Sequence, residues 1–392
     1  MRAENQAERI RKTFAARFGR EPLLVRSPGR VNLIGEHTDY NEGYVLPAAV
    51  DRAVVFAVAP REGRTARLLA ADLGEECAVA LDRLSKPRGA WPDYLVGVLE
   101  QLRRVRPRLG GFDCAFGGDI PVGAGMSSSA AVEAGLVYAL DALFELGLPP
   151  LELVKLAQRA ENEYVGVRCG IMDQYVNIFA RNGQVLRLDC RTLAAEHYPF
   201  PSNKLRVVLC DTGVRHALSA SEYNVRRAQC EEGVQLIRRA HPGVRNLRDV
   251  TAEMLAVHRR ELDPVVWRRC AYVIAENARL LAGCEDLRRG DFAVFGERMG
   301  QSHAGLRDEY EVSCPELDRL VAIAWTDPAV LGARMMGGGF GGCTVNLVRA
   351  DGVTAFAERV RRTYAPPDGG PAKVYACRIE GGTRVIARPT VL

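Results

Sequence analysis

The chain has 392 residues, of which 47% are hydrophobic and 26% charged, and its formal net charge is +5. This length exceeds the size at which one hydrophobic core stops growing, so we expect two domains. The basic residues occur in scattered pairs, which argues against a protein that binds nucleic acid through a clustered stripe. The eleven cysteines form no C-x-x-C pair, and no apolar run reaches the length of a membrane span. We therefore expect a cytoplasmic protein with no membrane partner, in a reducing compartment.

The apolar periodicity predicts strands early in the chain and helices in its middle. The predicted elements, in chain order, are a helix at 3–18, strands at 23–27, 44–60 and 77–81, a helix at 94–102, a strand at 111–117, helices at 127–146 and 151–164, strands at 184–188 and 205–210, helices at 219–240, 251–258, 265–282 and 291–306, and strands at 333–336, 343–348 and 373–379. This order favours an α+β protein with an N-terminal lobe at 1–200 and a C-terminal lobe at 201–392. The last strands are allowed to return to the N-terminal lobe.

A cluster of charged and polar residues lies between the first two predicted strands. Within ten residues the segment 30–39 carries Arg30, Glu36, His37 and Asp39. Desolvating charges is costly unless they are paired or used, so such a cluster between apolar segments needs a reason. Two carboxylates and an imidazole suit the hydroxyls of a polyol, and the arginine suits an anion.

A glycine-rich turn at 121–131 opens the helix predicted from residue 127. Glycines let a backbone approach a ligand closely, and a helix start offers free N–H groups and a positive dipole end to phosphate. Three consecutive serines, Ser127, Ser128 and Ser129, add hydroxyl groups. A plain serine cap after a tight turn is the alternative interpretation. Neither a Walker loop nor a dinucleotide fingerprint fits the sequence.

Two further segments carry candidate residues. A second glycine cluster at 332–343 precedes an apolar strand, which indicates a loop pressed against a ligand or another backbone. Glu161 lies near the end of the helix predicted at 151–164, and Asp173 lies in a predicted turn after it. Taken singly, the glutamate is typical of a solvated helix face and the aspartate of a turn.

These motifs, in this order, resemble those of the GHMP small-molecule kinases. The glycine loop and the late glycine cluster are shared by that superfamily, and the segment 30–47 resembles the substrate signature of the galactokinases. Segments 169–175 and 221–230 match further galactokinase motifs. The resemblance extends from about residue 23 to residue 348. It implies the two-lobed GHMP kinase fold, with mixed sheets, helices and an active site in the cleft between the lobes.

The resemblance also implies roles for individual residues. It identifies Asp173 as the catalytic aspartate and Arg30 as the arginine that stabilises the charge developing during phosphoryl transfer. The implied sugar-binding residues are Glu36, His37, Thr38, Asp39, Gly170 and Tyr223. The implied triphosphate cradle is Gly123, Ala124, Gly125, Met126, Ser127, Ser128 and Ser129. Ser129 and Glu161 would hold Mg²⁺, and ATP would be the co-substrate.

Two residues depart from the family pattern, and some alternatives stay open. Met126 replaces the usual leucine, a volume-conserving change. Met336 stands where the family commonly has threonine, so a hydroxyl beside the late glycine loop is lost. The implied activity is phosphorylation of the C1 hydroxyl of galactose, by a monomer or weak homo-oligomer. An N-acetylgalactosamine or arabinose kinase and a non-catalytic galactose sensor are the alternatives.

Overall fold

The computed structural model describes residues 2–121, 123–214 and 219–389, within which the chain forms eleven α-helices and fourteen β-strands. The helices are α1 (Arg2–Phe18), α2 (Pro92–Val105), α3 (Ser128–Phe144), α4 (Pro150–Arg159), α5 (Met172–Phe179), α6 (Ser219–Ala240), α7 (Ala252–Val257), α8 (Pro264–Arg289), α9 (Phe292–Asp308), α10 (Pro315–Trp325) and α11 (Val353–Thr363). The strands are β1 (Leu23–Asn32), β2 (Tyr44–Val45), β3 (Pro47–Arg61), β4 (Thr65–Ala70), β5 (Glu75–Ala80), β6 (Gly111–Gly118), β7 (Gln184–Asp189), β8 (Ala195–Pro199), β9 (Leu205–Asp211), β10 (Val330–Met335), β11 (Cys343–Arg349), β12 (Val374–Cys377), β13 (Ile379–Glu380) and β14 (Arg384–Ala387).

The strands form three sheets. The largest has the order β14-β1-β3-β6-β4-β5, and β13 also pairs with β3. A four-stranded sheet has the order β10-β11-β9-β12, and a three-stranded sheet has the order β2-β7-β8. The large sheet is mixed, since β4 and β6 are parallel while β1 and β3 are antiparallel.

Both faces of the large sheet are covered by helices. Side chains alternate along β3, so that Phe56 joins the main core, which includes α3, while its neighbour Val55 joins a second cluster with Phe14 of α1. Helix α3 comes so close to the sheet that a Cβ atom on Gly135 would lie 2.4 Å from the Phe56 ring. The strand β1, which carries Arg30, is buried along its whole length. This burial fixes the position of the charged segment that follows it.

The last two strands, β13 and β14, belong to the same large sheet as β1 and β3. Strand β14 pairs with β1, where Arg384 lies opposite Arg26, and β13 pairs with β3. The helices α6 and α8 share a separate core with Tyr310. The division of the chain into lobes at about residue 200 stays a prediction. Among the described residues, no helix is long and apolar enough to cross a membrane.

Several predicted elements differ from the structure in their bounds. The strand predicted at 44–60 is divided into β2 and β3, and the helix predicted at 127–146 begins at Ser128. Asp173, predicted in a turn, lies in the first turn of α5, which periodicity missed because this helix has only 8 residues. Val122, within the predicted phosphate loop, lies outside the described residues.

Candidate active site

A cavity of about 300 Å³ brings together residues from both halves of the chain. From the predicted site it is lined by Arg30, Glu36, His37, Asp39, Glu161, Gly170, Asp173 and Tyr223. Gly337 and Gly338 of the late glycine cluster also line it. Segments that are more than 300 residues apart in sequence therefore face one small volume.

Arg30 and Asp173 form a two-pronged ion pair at the cavity. Arg30 Nε donates to Asp173 Oδ1 at 2.6 Å, and its Nη2 donates to Oδ2 at 2.7 Å. The third guanidinium nitrogen donates to the carbonyl oxygen of Gly125, and the Ser127 hydroxyl donates to Asp173. Bidentate arginine–carboxylate pairs fix orientation as well as charge. The pair thus connects β1, the glycine loop and α5.

Glu36 is held by the C-terminal half of the chain. Its Oε1 atom accepts hydrogen bonds from Arg334 Nη2 at 2.9 Å and from the backbone N–H of Gly337 at 2.8 Å. Arg334 is fully buried and also donates to three backbone carbonyls, those of Asn32, Leu33 and Met335. A buried charge needs such pairing. The carboxylate of Glu36 is therefore fixed in place before any ligand arrives.

Helix α8 holds the backbone of the same segment. The N–H of Gly35 donates to Glu276 at 2.9 Å, and the N–H of Tyr44 donates to Asn277 at 2.9 Å. The Tyr272 hydroxyl donates to the carbonyl of Glu36 at 3.1 Å. Gly35 has a φ of 95°, and a Cβ there would lie 2.7 Å from a carbonyl oxygen, so another residue would not fit.

Burial changes the protonation of two predicted sugar-binding residues. It lowers the pKa of His37 to about 4, so that its imidazole is neutral at pH 7. Burial, followed by the negative charge of Asp173, raises the pKa of Asp39 to about 7. Gly170 lies against Asp39, since a Cβ on it would collide with that carboxylate. The cavity therefore holds a carboxylate whose charge is costly while no ligand pairs with it.

Thr38 does not line the cavity. Its side chain is fully buried, and its hydroxyl bonds to the carbonyl oxygens of Gly35 and Tyr44. The predicted sugar contact of Thr38 is therefore not supported for its side chain, which instead stabilises the turn that carries the cluster.

We expect Thr38→Val to lower the free energy of unfolding by about 1–3 kcal/mol, because it leaves buried carbonyl oxygens without a donor. The Michaelis constant for the sugar should change less than twofold. Urea unfolding and steady-state kinetics on the same preparation measure both quantities. A tenfold rise in KM at unchanged stability would instead place the hydroxyl in the sugar site.

The two glycine-rich segments face each other. A Cβ on Gly125 would lie 3.5 Å from the Met336 side chain, and one on Gly342 would lie 3.7 Å from the carbonyl of Gly123. Gly123 and Gly125 have φ values of 73° and 71°, which side chains rarely adopt. Ser127 is also left-handed and precedes the first residue of α3. The loop thus presents its backbone and a helix start to one side of the Arg30–Asp173 pair.

The predicted metal ligands, Ser129 and Glu161, lie beside a second acidic side chain, Glu133. Glu161 is the second residue of a π-helical turn, Ala160–Val165, and accepts a hydrogen bond from Gln174 at 2.7 Å. Burial raises the pKa of Glu161, while the Ser129 hydroxyl acts to lower it. Glu133 is fully buried, and neither of its carboxylate oxygens has a partner among the described residues. Burial and then the charge of Glu161 raise the pKa of Glu133.

This acidic cluster fits a divalent cation. Within the described ranges, no group of three His, Cys, Asp or Glu side chains is arranged to hold a metal ion by itself. Mg²⁺ does not need such a group, because it takes one or two protein oxygens and completes its shell with phosphate and water. The hard oxygens of Ser129 and Glu161, beside the unpaired Glu133, match that requirement.

Comparisons with known proteins agree with this arrangement. A family model described as the galactokinase galactose-binding signature matches residues 12–60. Models of the N-terminal and C-terminal domains of the GHMP kinases match residues 93–181 and 285–366. A curated galactokinase of Roseiflexus sp. (strain RS-1) is 44% identical over 384 residues, which cover 97% of this chain and 98% of that protein. The galactokinase of Chloroflexus aurantiacus is 42% identical over 375 residues, which cover 95% and 96%.

This chain belongs to the galactokinase family. As a galactokinase-family member it is an ATP-dependent sugar kinase. Among solved structures, Lactococcus lactis galactokinase complexed with galactose matches it with a TM-score of 0.91 and 35% identity, covering 97% of this chain and 99% of that one. The mevalonate kinase of Methanococcus jannaschii matches with a TM-score of 0.66 at 16% identity, covering 92% and 99%, which shows the fold alone. The predicted α+β GHMP kinase fold is thus confirmed.

Sequence reasoning missed several side chains that support this galactokinase-family site. They are Glu133, Tyr272, Glu276, Asn277 and Arg334. Glu133 carried a usable signal, because it follows Ser129 by one helical turn in the buried part of a mostly apolar helix. Arg334 carried a similar one, as an arginine within a buried strand. The residues of α8 gave no signal, because polar side chains are ordinary on a long helix.

Proposed function

We propose that this enzyme transfers the γ-phosphoryl group of MgATP to the C1 hydroxyl of α-D-galactose, giving galactose 1-phosphate and ADP. The observation that carries the proposal is the Arg30–Asp173 pair, which lies between the acidic sugar-sized cavity and the glycine loop. Phosphoryl transfer depends on positioning and charge stabilisation more than on covalent chemistry. The family model and the galactose complex of the Lactococcus lactis relative support the choice of sugar.

Asp173 and Arg30 have complementary tasks in this proposal. The C1 hydroxyl donates to Asp173, which accepts its proton as the bond to phosphorus forms. Both oxygens of Asp173 already accept hydrogen bonds from Arg30, so the carboxylate is held in one orientation. We expect the proton to transfer late, because the carboxylate must accept it while both of its oxygens stay bonded to Arg30. Arg30 neutralises charge on the transferring group.

The triphosphate would lie along the glycine loop, against the backbone at 123–129 and the start of α3. Mg²⁺, held by Ser129 and Glu161, would neutralise phosphate charge when bound. The hydroxyl of Ser127 keeps the loop attached to Asp173, so binding of the nucleotide and orientation of the acceptor are coupled.

Asp39 would select the sugar by accepting hydrogen bonds on the C3/C4 side. Sites that hydrogen-bond a hydroxyl strongly reject analogues that lack or misplace it. We expect Asp39→Ala to raise the KM for galactose by about 10²-fold or more and to reduce the preference for galactose over glucose. Comparing kcat/KM for the two sugars measures this. Unchanged discrimination would remove Asp39 from the selection of the sugar.

The same carboxylate should destabilise the free enzyme. Folding raises the pKa of Asp39 from 3.8 to about 7. The destabilisation caused by its charge is therefore absent below pH 4 and reaches its full size above pH 7. Asp39→Asn should therefore raise the melting temperature of the sugar-free enzyme at pH 8, and the gain should shrink as the pH falls to 5. Thermal unfolding at both pH values tests this, and an equal gain at both would contradict it.

The proposed function is tested by the release of ADP from MgATP with galactose, N-acetylgalactosamine, arabinose, glucose or no sugar. Release that depends on galactose supports the proposal. Release with N-acetylgalactosamine or arabinose instead would keep the kinase and change its sugar. A rise in melting temperature with galactose but no release with any sugar would indicate a sensor. Intact Ser127, Ser128, Asp173 and Arg30 argue against that outcome.

We also propose that the enzyme works in the cytoplasm. No disulfide bond joins the cysteines of the described residues, as expected in a reducing compartment. A monomer or weak homo-oligomer stays our prediction for its assembly. The exposed large apolar side chains are isolated in sequence, at Leu73, Val225, Val257, Val294 and Trp325.

A further inference from the structure

A chain of hydrogen-bonding side chains leads from the cavity into the core of the C-terminal half. His37 Nδ1 lies 2.8 Å from the Tyr40 hydroxyl, which lies 2.7 Å from the Tyr310 hydroxyl. The Tyr310 hydroxyl in turn lies 3.2 Å from the thiol of Cys230. His37, Tyr310 and Cys230 are buried, and Tyr40 is partly buried. The four side chains are thus linked largely out of contact with water.

The other ring nitrogen of His37 is the end of this chain at the cavity. His37 lines the cavity, and its Nε2 atom is buried without a hydrogen-bond partner among the described residues. Burying a nitrogen without a hydrogen-bond partner is costly, so we expect a ligand atom to form a hydrogen bond with it. The neutral imidazole carries one proton, on Nδ1 or on Nε2. Its location decides whether His37 accepts or donates a hydrogen bond in the cavity.

The order of donors along the chain determines that location. If each hydroxyl donates its one proton within the chain, the bonds run either from Cys230 towards His37 or in the opposite direction. In the first direction the Tyr40 phenol donates to the imidazole nitrogen, Tyr310 donates to Tyr40, and the weak S–H donor begins the chain. In the second, the imidazole N–H donates to a phenol and the chain ends on sulfur, a weak acceptor.

The first direction is the stronger one. It pairs a phenol O–H, a better hydrogen-bond donor than the thiol S–H, with the most basic acceptor in the chain, a neutral imidazole nitrogen. The only weak hydrogen bond is then the one that the thiol donates, and neither tyrosine donates its proton to sulfur. Phe340 and Arg226 pack beside this region, and Arg226 donates to the carbonyl of Tyr310 at 2.9 Å, which holds that tyrosine in position.

We propose that Tyr40 and Tyr310 are positioning residues that fix the proton of His37 on Nε2, so that His37 donates a hydrogen bond to a hydroxyl oxygen of the sugar. This inference rests on the proposed function for the identity of the ligand. Glu36 and Asp39 line the same cavity and accept hydrogen bonds from hydroxyl protons. A hydroxyl that donates to one of these carboxylates has an oxygen free to accept from His37. By fixing the proton on Nε2, the tyrosines make His37 a hydrogen-bond donor beside the acceptors Glu36 and Asp39.

The inference is tested by nitrogen NMR of the sugar-free enzyme labelled with ¹⁵N-histidine. The chain has six histidines, and the signals of His37 are identified by their absence in His37→Asn, since asparagine tolerates the left-handed backbone at this position. We expect Nε2 to be protonated and Nδ1 to be bare at pH 7.5. A proton on Nδ1 would overturn the proposal.

Tyr40→Phe gives the second readout. It keeps the ring contact with Tyr223 but removes the donor to Nδ1, so the two forms of His37 should mix and the KM for galactose should rise about 5- to 10-fold. The fall in kcat should be smaller than the rise in KM. Tyr310→Phe keeps that donor and should have a smaller effect than Tyr40→Phe.

Tyr364→Phe is the matched control. It removes a buried phenol that donates to the carbonyl of Thr212 at 2.8 Å, in a different core cluster. It should leave the His37 signals and KM unchanged. If Tyr40→Phe matches this control in both readouts, the inference is wrong. If the proton lies on Nε2 and moves in Tyr40→Phe while no sugar is phosphorylated, the tyrosines retain their role and the proposed function fails.

Discussion

Asp173→Ala should lower kcat by about 10³-fold or more while galactose binding stays measurable. The change removes the acceptor for the C1 proton and leaves Arg30 without its two-pronged partner, so both proton transfer and the orientation of the arginine are lost. Binding persists because the other hydrogen-bonding groups of the cavity remain. Steady-state kinetics with calorimetry of galactose binding separates the two effects.

Asp113→Ala is a suitable control for this variant. Asp113 also forms a two-pronged pair with an arginine, Arg67, but on the far strands of the large sheet. Its loss should reduce stability and leave the kcat of the folded enzyme within about twofold. Near-normal turnover in Asp173→Ala would remove that residue from the chemical step.

Arg334→Met should destabilise the enzyme by about 3–5 kcal/mol, the largest effect on stability that we expect from a single change outside the reacting groups. The guanidinium is fully buried, and its removal leaves the charge of Glu36 without a cation and three backbone carbonyls without donors. Galactose binding should weaken as well, because Glu36 loses its fixed position. Urea unfolding measures the first effect and calorimetry the second.

A double-mutant cycle with Glu36→Gln tests the reason given. The glutamine keeps an oxygen for the N–H of Gly337 but removes the unpaired charge. The loss in free energy of unfolding caused by Glu36→Gln should therefore be about 1 kcal/mol smaller in Arg334→Met than in the wild type. Strict additivity would mean that the destabilisation comes from lost packing rather than from the buried ion pair.

The sequence predicted the parts of this enzyme that depend on short motifs. The charged segment at 30–39 and the glycine loop carry their chemistry in consecutive residues, so both could be located from the order of amino acids alone. Arg334 stood out as an arginine within an apolar strand, but its partners and those of the polar residues of α8 could not be predicted, because the contacts span about 300 or 240 positions of the chain. Thr38 is the opposite case. It stands inside the motif, but its hydroxyl bonds to carbonyl oxygens of the turn, and its predicted contact with the sugar stays a prediction.

The pairing of β14 with β1 has a consequence for how the protein is made. Strand β1 leaves the ribosome early. Its backbone can pair with β14, where Arg26 lies opposite Arg384, only after β14 has been synthesised. Until then one edge of a strand that is buried in the folded protein presents unpaired backbone groups to the cell, a state that favours aggregation. Contacts this distant in sequence also form slowly. A chain that lacks β14 is therefore expected to aggregate more readily, although β14 lies far from the reacting groups.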